Sequence, residues 1–84
     1  MKRKYKIIFT REFLKKIKKL ERETQIRIFK NIKMLEENPY LGKRLRGRLS
    51  GLFSYRIGDY RIIYQISESQ IIIRTVGHRK SIYE

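Results

Sequence analysis

The sequence predicts an α+β domain in which a helical hairpin packs on one face of a curved antiparallel sheet. Three observations carry this. Apolar residues recur at helical spacing between residues 13 and 35, and strict alternation runs through residues 52–76. Between Ile57 and Tyr60, Gly58-Asp59 is a two-residue β-turn, with glycine supplying the positive φ that such turns need. At 84 residues the chain is long enough for one small domain, 1–84, with no linker, repeat or low-complexity tract to suggest a second.

The elements follow in order. YKIIFT, residues 5–10, is rich in β-formers and reads as a first strand. Thr10 can cap a helix whose first turn holds Glu12 and whose apolar stripe is Phe13, Leu14, Ile17 and Leu20. Lys15, Lys16, Lys18 and Lys19 fill its solvated face. After a break at 21–23, Thr24 can cap a second helix with Ile28, Phe29, Ile32 and Leu35 on one side, ended by Asn38-Pro39. So short a connection makes the two an antiparallel hairpin. Residues 40–51 read as a glycine-punctuated basic loop carrying Lys43, Arg44, Arg46 and Arg48. Three strands then cover roughly 52–57, 60–66 and 70–76, giving the order β-α-α-β-β-β.

Strand alternation assigns faces as well as elements. The turn at 58–59 pairs Arg56 with Arg61 and collects Phe53, Tyr55, Ile57, Tyr60, Ile62, Tyr64 and Ile66 on one apolar face. A turn around Glu68-Ser69 pairs Ile66 with Ile71, which adds Ile71, Ile73 and Thr75 to that face. Ser54, Arg56, Arg61, Ile63 and Gln65 occupy the other, with Ile72, Arg74 and Val76. Like charges directly opposed on a sheet are destabilising, so Arg56 and Arg61 call for an anion between them. A structural carboxylate such as Glu84 is the alternative to a ligand.

Composition narrows the anion. Against 22 Lys and Arg stand 8 Asp and Glu, a net charge of +14. That points to nucleic acid first, then to an acidic protein or an anionic membrane. There is no apolar signal core and no run long enough to span a bilayer, which makes a cytoplasmic protein the expectation. No cysteine and a single histidine exclude a His/Cys metal site, and no cofactor motif is present. A Ser-His-Asp triad is formally possible from Ser54, His78 and Asp59, but Asp59 sits at a turn tip and no nucleophile elbow occurs. Arginine, tyrosine and one histidine remain. They suit metal-free RNA cleavage, in which RNA's own 2′-hydroxyl attacks and the protein holds the phosphate and offsets its growing charge. Arginine is a poor base, whereas His78 has the unperturbed pKa for proton transfer near neutrality. The alternative for His78 is a hydrogen-bonded turn histidine.

Leu45-Arg46-Gly47, Tyr55-Arg56-Ile57-Gly58-Asp59-Tyr60-Arg61-Ile62-Ile63-Tyr64 and Val76-Gly77-His78-Arg79-Lys80-Ser81-Ile82-Tyr83 together resemble the RelE/ParE superfamily of bacterial and archaeal toxins. The resemblance covers nearly the whole chain. It implies the toxin of a type II toxin–antitoxin system: a ribosome-dependent, metal-free endoribonuclease that cuts mRNA in the A site and is neutralised, as a hetero-oligomer, by an acidic RelB-like antitoxin. By the same resemblance Arg61 binds the phosphate, Arg56 is the second basic residue of the preceding strand, Arg79 serves leaving-group protonation, and Tyr83 stacks on the substrate base. Lys43, Arg44, Arg46, Arg48 and Arg74 would bind RNA. Ser54 stands where the RelE branch has its first basic residue, which leaves the general base unassigned. The ParE branch, which inhibits DNA gyrase without cutting RNA, is the alternative.

Overall fold

The computed structural model describes residues 4–81. Tyr83 and Glu84, named above for base stacking and for bridging the arginines, lie outside the described residues. The elements are β1 (Lys6–Phe9), α1 (Arg11–Ile17), α2 (Arg22–Met34), β2 (Lys43–Arg44), β3 (Leu52–Ile57), β4 (Tyr60–Ser67) and β5 (Gln70–His78). They form a five-stranded sheet in the order β1-β5-β4-β3-β2 with the helices on one face. β1 runs parallel to β5, and the remaining pairs are antiparallel. No helix among the described residues is long and apolar enough to cross a membrane.

The core follows from the two periodicities. Phe13 and Ile17 from α1, Ile28 and Ile32 from α2, and Leu35 just beyond it meet Phe53, Ile57, Ile62, Tyr64, Ile71, Ile73 and Val76 from the sheet. Each fully buried aliphatic side chain contributes about 1.5–3 kcal/mol. The wider stripe is incomplete: Leu14 and Phe29 remain exposed, and Phe29 stands edge-on to Phe9 and Phe13 at ring separations of 5.6 and 5.9 Å.

Both hairpin registers match the sequence reading. Ile57 pairs with Tyr60, Arg56 with Arg61, and Ile66 with Ile71. Gly58 has φ of 64°, which glycine adopts without strain, and packs against the exposed Arg27 guanidinium of α2.

Four features differ from expectation. α2 begins one turn early, with Glu21 rather than Thr24 at its N-cap, because Gln25 reaches back: its amide N–H donates to Glu21 and its side chain to Leu20. The basic loop holds a fifth strand, β2, between two short 3-10 turns, and two residues are too few for alternation to show. β5 runs two residues past the expected end, through His78. Finally, Ile63 pairs with Thr75 but Tyr64 pairs with Ile73, so Arg74 is an extra residue in β5. This β-bulge reverses the alternation beyond it. Val76 therefore enters the core, 2% exposed, and Thr75 takes the arginine face, the opposite of the simple alternation.

Thr10 secures that bulge. Its hydroxyl accepts from the Phe13 N–H, capping α1, and is shared as donor between the carbonyls of Ile73 (2.9 Å) and Arg74 (2.8 Å). Glu12 lies in the same corner. The neighbouring Thr75 hydroxyl, then Lys16 at 3.3 Å and Arg74, hold its carboxyl below the ordinary range. Thr10→Ala should cost about 1–2 kcal/mol, as for other N-cap deletions. Urea denaturation would measure this, and Thr10→Ser should retain most of the stability.

Candidate functional site

β3 and β4 place Ser54, Arg56, Arg61, Ile63 and Gln65 on the face away from the helices. Arg56 and Arg61 are directly opposed. They differ in exposure and in partners. Arg56 is exposed and its Nε–H donates to the Gly58 carbonyl at 3.0 Å, which folds it toward the hairpin tip. Arg61 is half-buried and its Nη1 donates to the Ser54 hydroxyl at 3.1 Å. Ser54 is 3% exposed, so the serine acts as a fixed tether for the guanidinium. A half-buried, oriented guanidinium is a strong oxyanion donor, because less solvent competes and little side-chain entropy remains to be lost.

Arg74 and Arg79 flank the pair. The bulge leaves Arg74 exposed on the arginine face, where its Nη1 donates to Gln65 Oε1 at 3.3 Å. Arg79 follows β5 at the hairpin tip. Its backbone N–H donates to the Asp59 carbonyl, and its Nε stands 3.8 Å from the Asp59 carboxylate. Arg79 and Arg56 thus both have partners at the hairpin tip, Arg79 at Asp59 and Arg56 at Gly58.

The remaining sequence candidates separate. His78 pairs with Tyr60, a residue of the helix-facing side, and their rings meet edge-on at 5.8 Å. Its Nδ1 accepts from the Lys80 N–H at 3.2 Å. The bulge sets this direction, and it makes His78 the hydrogen-bonded turn histidine rather than a neighbour of Arg61. Ser54, Asp59 and His78 accordingly form no triad. In the basic segment, β2 pairs Lys43 with Ser54 and Arg44 with Phe53. Lys43 therefore shares the face of Arg61, whereas Arg44 turns to the other side and stands over the Phe53 ring, 5.8 Å from its centroid. Arg46 joins Lys43, Arg44, Leu45, Gly47 and Ser50 around an open concavity of about 800 Å³ beside β2, and Arg48 is exposed on the adjoining turn.

β2 is held by a residue that sequence reasoning used only as core. Tyr64 is fully buried; its hydroxyl donates to the Pro39 carbonyl at 2.6 Å and accepts from the Gly42 N–H at 2.9 Å. Burial pushes its phenol above the ordinary value, partly offset by the Gly42 N–H. As pH rises past about 10, the unfolded chain loses this proton before the folded one does, so folding stability falls there. Tyr64→Phe should flatten that alkaline loss in thermal melts taken against pH. The signal available in the sequence was a tyrosine at a fully apolar position, since a buried hydroxyl needs partners.

The assembled face is a cationic surface with one tethered arginine at its centre. Such a surface can orient a phosphodiester and stabilise added negative charge on it.

Residues 7–83 match the family model described as ParE toxin of the type II toxin–antitoxin system parDE. Among curated proteins, Toxin RelE3 of Methanocaldococcus jannaschii is 31% identical over 94% of this chain and 96% of its own. Toxin RelG of Mycobacterium tuberculosis is 44% identical over 51% of this chain, which spans about half (52%) of RelG's length. Among solved structures, the toxin–antitoxin complex RelBE2 of Mycobacterium tuberculosis contains a chain that superposes with a TM-score of 0.85 at 31% identity, covering 90% of this chain and 92% of that one. On the matched motif, the fold and these relatives, the chain belongs to the ParE toxin family, within the RelE/ParE superfamily of type II toxin–antitoxin toxins.

Proposed function

We propose that this protein is a toxin endoribonuclease that cleaves mRNA on the ribosome. The observation that carries the reading is the opposed pair Arg56 and Arg61, with Arg61 tethered by buried Ser54 on a face that Arg74 and Arg79 flank. In this reaction the 2′-hydroxyl attacks the adjacent phosphorus and the bond to the 5′-oxygen breaks. A 2′,3′-cyclic phosphate and a free 5′-hydroxyl result. Arg61 binds the non-bridging oxygens and stabilises the charge of the phosphorane, and Arg56 adds a second cation. Arg79, beside Asp59 at the tip, serves protonation of the leaving oxygen. His78 has no step in this scheme.

Arg46 and Arg48 dock on the RNA backbone, and the net charge of +14 favours the ribosomal environment through counterion release. Tyr83 stacks on the substrate base. The partner that restrains the toxin is an acidic RelB-like antitoxin, as the RelBE2 complex suggests for a relative. The basic face suits it by charge. The groove formed by Ile7, Phe9, Phe29 and Ile32 suits it by apolar contact.

A second reading is a toxin that inhibits DNA gyrase without cutting RNA. Two observations favour it: the matching family model is that of ParE, and Ser54 replaces a cation expected in the nuclease branch. Mapping mRNA ends after expression, beside a gyrase supercoiling assay, separates the two. New 5′-hydroxyl ends within translated codons, with supercoiling unaffected, are the expected result. Intact mRNA with inhibited supercoiling would replace the nuclease reading by the second.

A further inference from the structure

The cation missing at Ser54 has a counterpart on the neighbouring strand. Lys43 is directly opposite Ser54 in the β2–β3 ladder, and Ser54 is opposite Ile63, so Lys43 shares the arginine face and is exposed there. Opposed residues have Cβ atoms about 5 Å apart, a gap that a four-carbon lysine stem crosses easily. A cation at position 54 would face Lys43 as a second like-charge pair beside Arg56 and Arg61, which a sheet disfavours. Serine at 54 resolves this by tethering Arg61 and leaving the charge to β2.

The placement of Lys43 is specified by its neighbours. Gly42 precedes it, with its N–H on buried Tyr64 and its Cα too close to Tyr64 and the Ser54 carbonyl to carry a side chain. Arg44 follows it, turned to the far side over Phe53. A two-residue strand anchored on both sides presents one side chain to the arginine face, and that side chain is Lys43.

We propose that Lys43 is the third cation of the phosphate site, delivered from β2 to the place that Ser54 leaves uncharged, where its ammonium contacts the phosphate held by Arg61. This rests on the nuclease reading above and moves Lys43 from general RNA docking to the scissile group.

The test compares wild type, Lys43→Ala, Lys43→Arg, Arg61→Ala and Lys19→Ala for cleavage of a translated mRNA. It also measures binding of an uncleavable 2′-O-methyl RNA across a salt series. Lys19 is exposed at the far end of α1 and controls for the loss of one charge. Lys43→Ala should lower cleavage about 10²-fold, with Lys43→Arg retaining most of it and Lys19→Ala close to wild type. The salt slope of binding should fall by about one for Lys43→Ala. If Arg61→Ala loses cleavage while Lys43→Ala cuts like Lys19→Ala, the inference about Lys43 is overturned and the nuclease reading stands. If wild type cuts nothing, the nuclease reading falls. Binding then decides Lys43: a salt slope equal to that of Lys19→Ala overturns the anion contact, and a reduced one supports it. Thermal melts should be superimposable with wild type for the Lys43 and Lys19 variants.

Discussion

Arg61→Ala is expected to reduce cleavage of translated mRNA by about 10²–10³-fold or more, the effect of removing one preorganised oxyanion donor. The size follows from how Arg61 is held. Its guanidinium is half-buried and bonded to a serine that is itself 3% exposed, so it contributes oriented charge where solvent screening is weak. Arg56→Ala should cost less, because Arg56 is exposed and its Nε is already engaged by the Gly58 carbonyl. The fold should survive the first substitution. It removes one of two opposed cations, and the core lies on the other face. Single-turnover cleavage and a thermal melt on the same preparation measure both quantities. Cleavage by Arg61→Ala at the wild-type rate would sink the site assignment.

Gly42→Ala is expected to be the most damaging single methyl addition for both stability and activity. A Cβ at Gly42 would sit 2.6 Å from the Tyr64 hydroxyl oxygen, 2.9 Å from its ring and 2.9 Å from the Ser54 carbonyl. None of these can yield freely, since the first two belong to a fully buried ring and the third to the β3 backbone. Overpacking of this kind costs about 1–3 kcal/mol. Displacing Gly42 also removes a partner of the buried phenol, a further loss of about 1–3 kcal/mol. For a domain of this size the melting temperature should drop by more than about 10 °C. Cleavage should fall even below the new melting temperature, because Lys43 and Ser54 lie on either side of the clash. A thermal shift near zero would show that β2 is not fastened through Tyr64.

Most of the fold was legible because it is written in local periodicity. Helical spacing marked Phe13, Leu14, Ile17, Leu20, Ile28, Phe29, Ile32 and Leu35; all are core except exposed Leu14 and Phe29 and half-buried Leu20. The glycine turn fixed the opposed arginines, since a two-residue loop admits one register. Motif resemblance identified the superfamily, which the matches bear out. Three features were out of reach of local pattern. At the bulge, Thr10, some sixty residues earlier, donates its hydroxyl to the carbonyls of Ile73 and Arg74. Strand β2 is too short to alternate, and its existence depends on a tyrosine hydroxyl more than twenty residues ahead. The direction of His78 follows from the bulge, because one extra residue turns every later side chain to the opposite face.

The sequence by itself thus determined the elements, the β3–β4 register and the presence of a cationic face, all consequences of spacing within a segment. The tertiary structure decided which candidate side chains share that face: it brought Lys43 in and sent His78 and Arg44 to the other side. The physical reason is that face membership beyond a bulge, or on a strand of two residues, is set by hydrogen bonds from distant residues, and spacing along the chain carries no record of them.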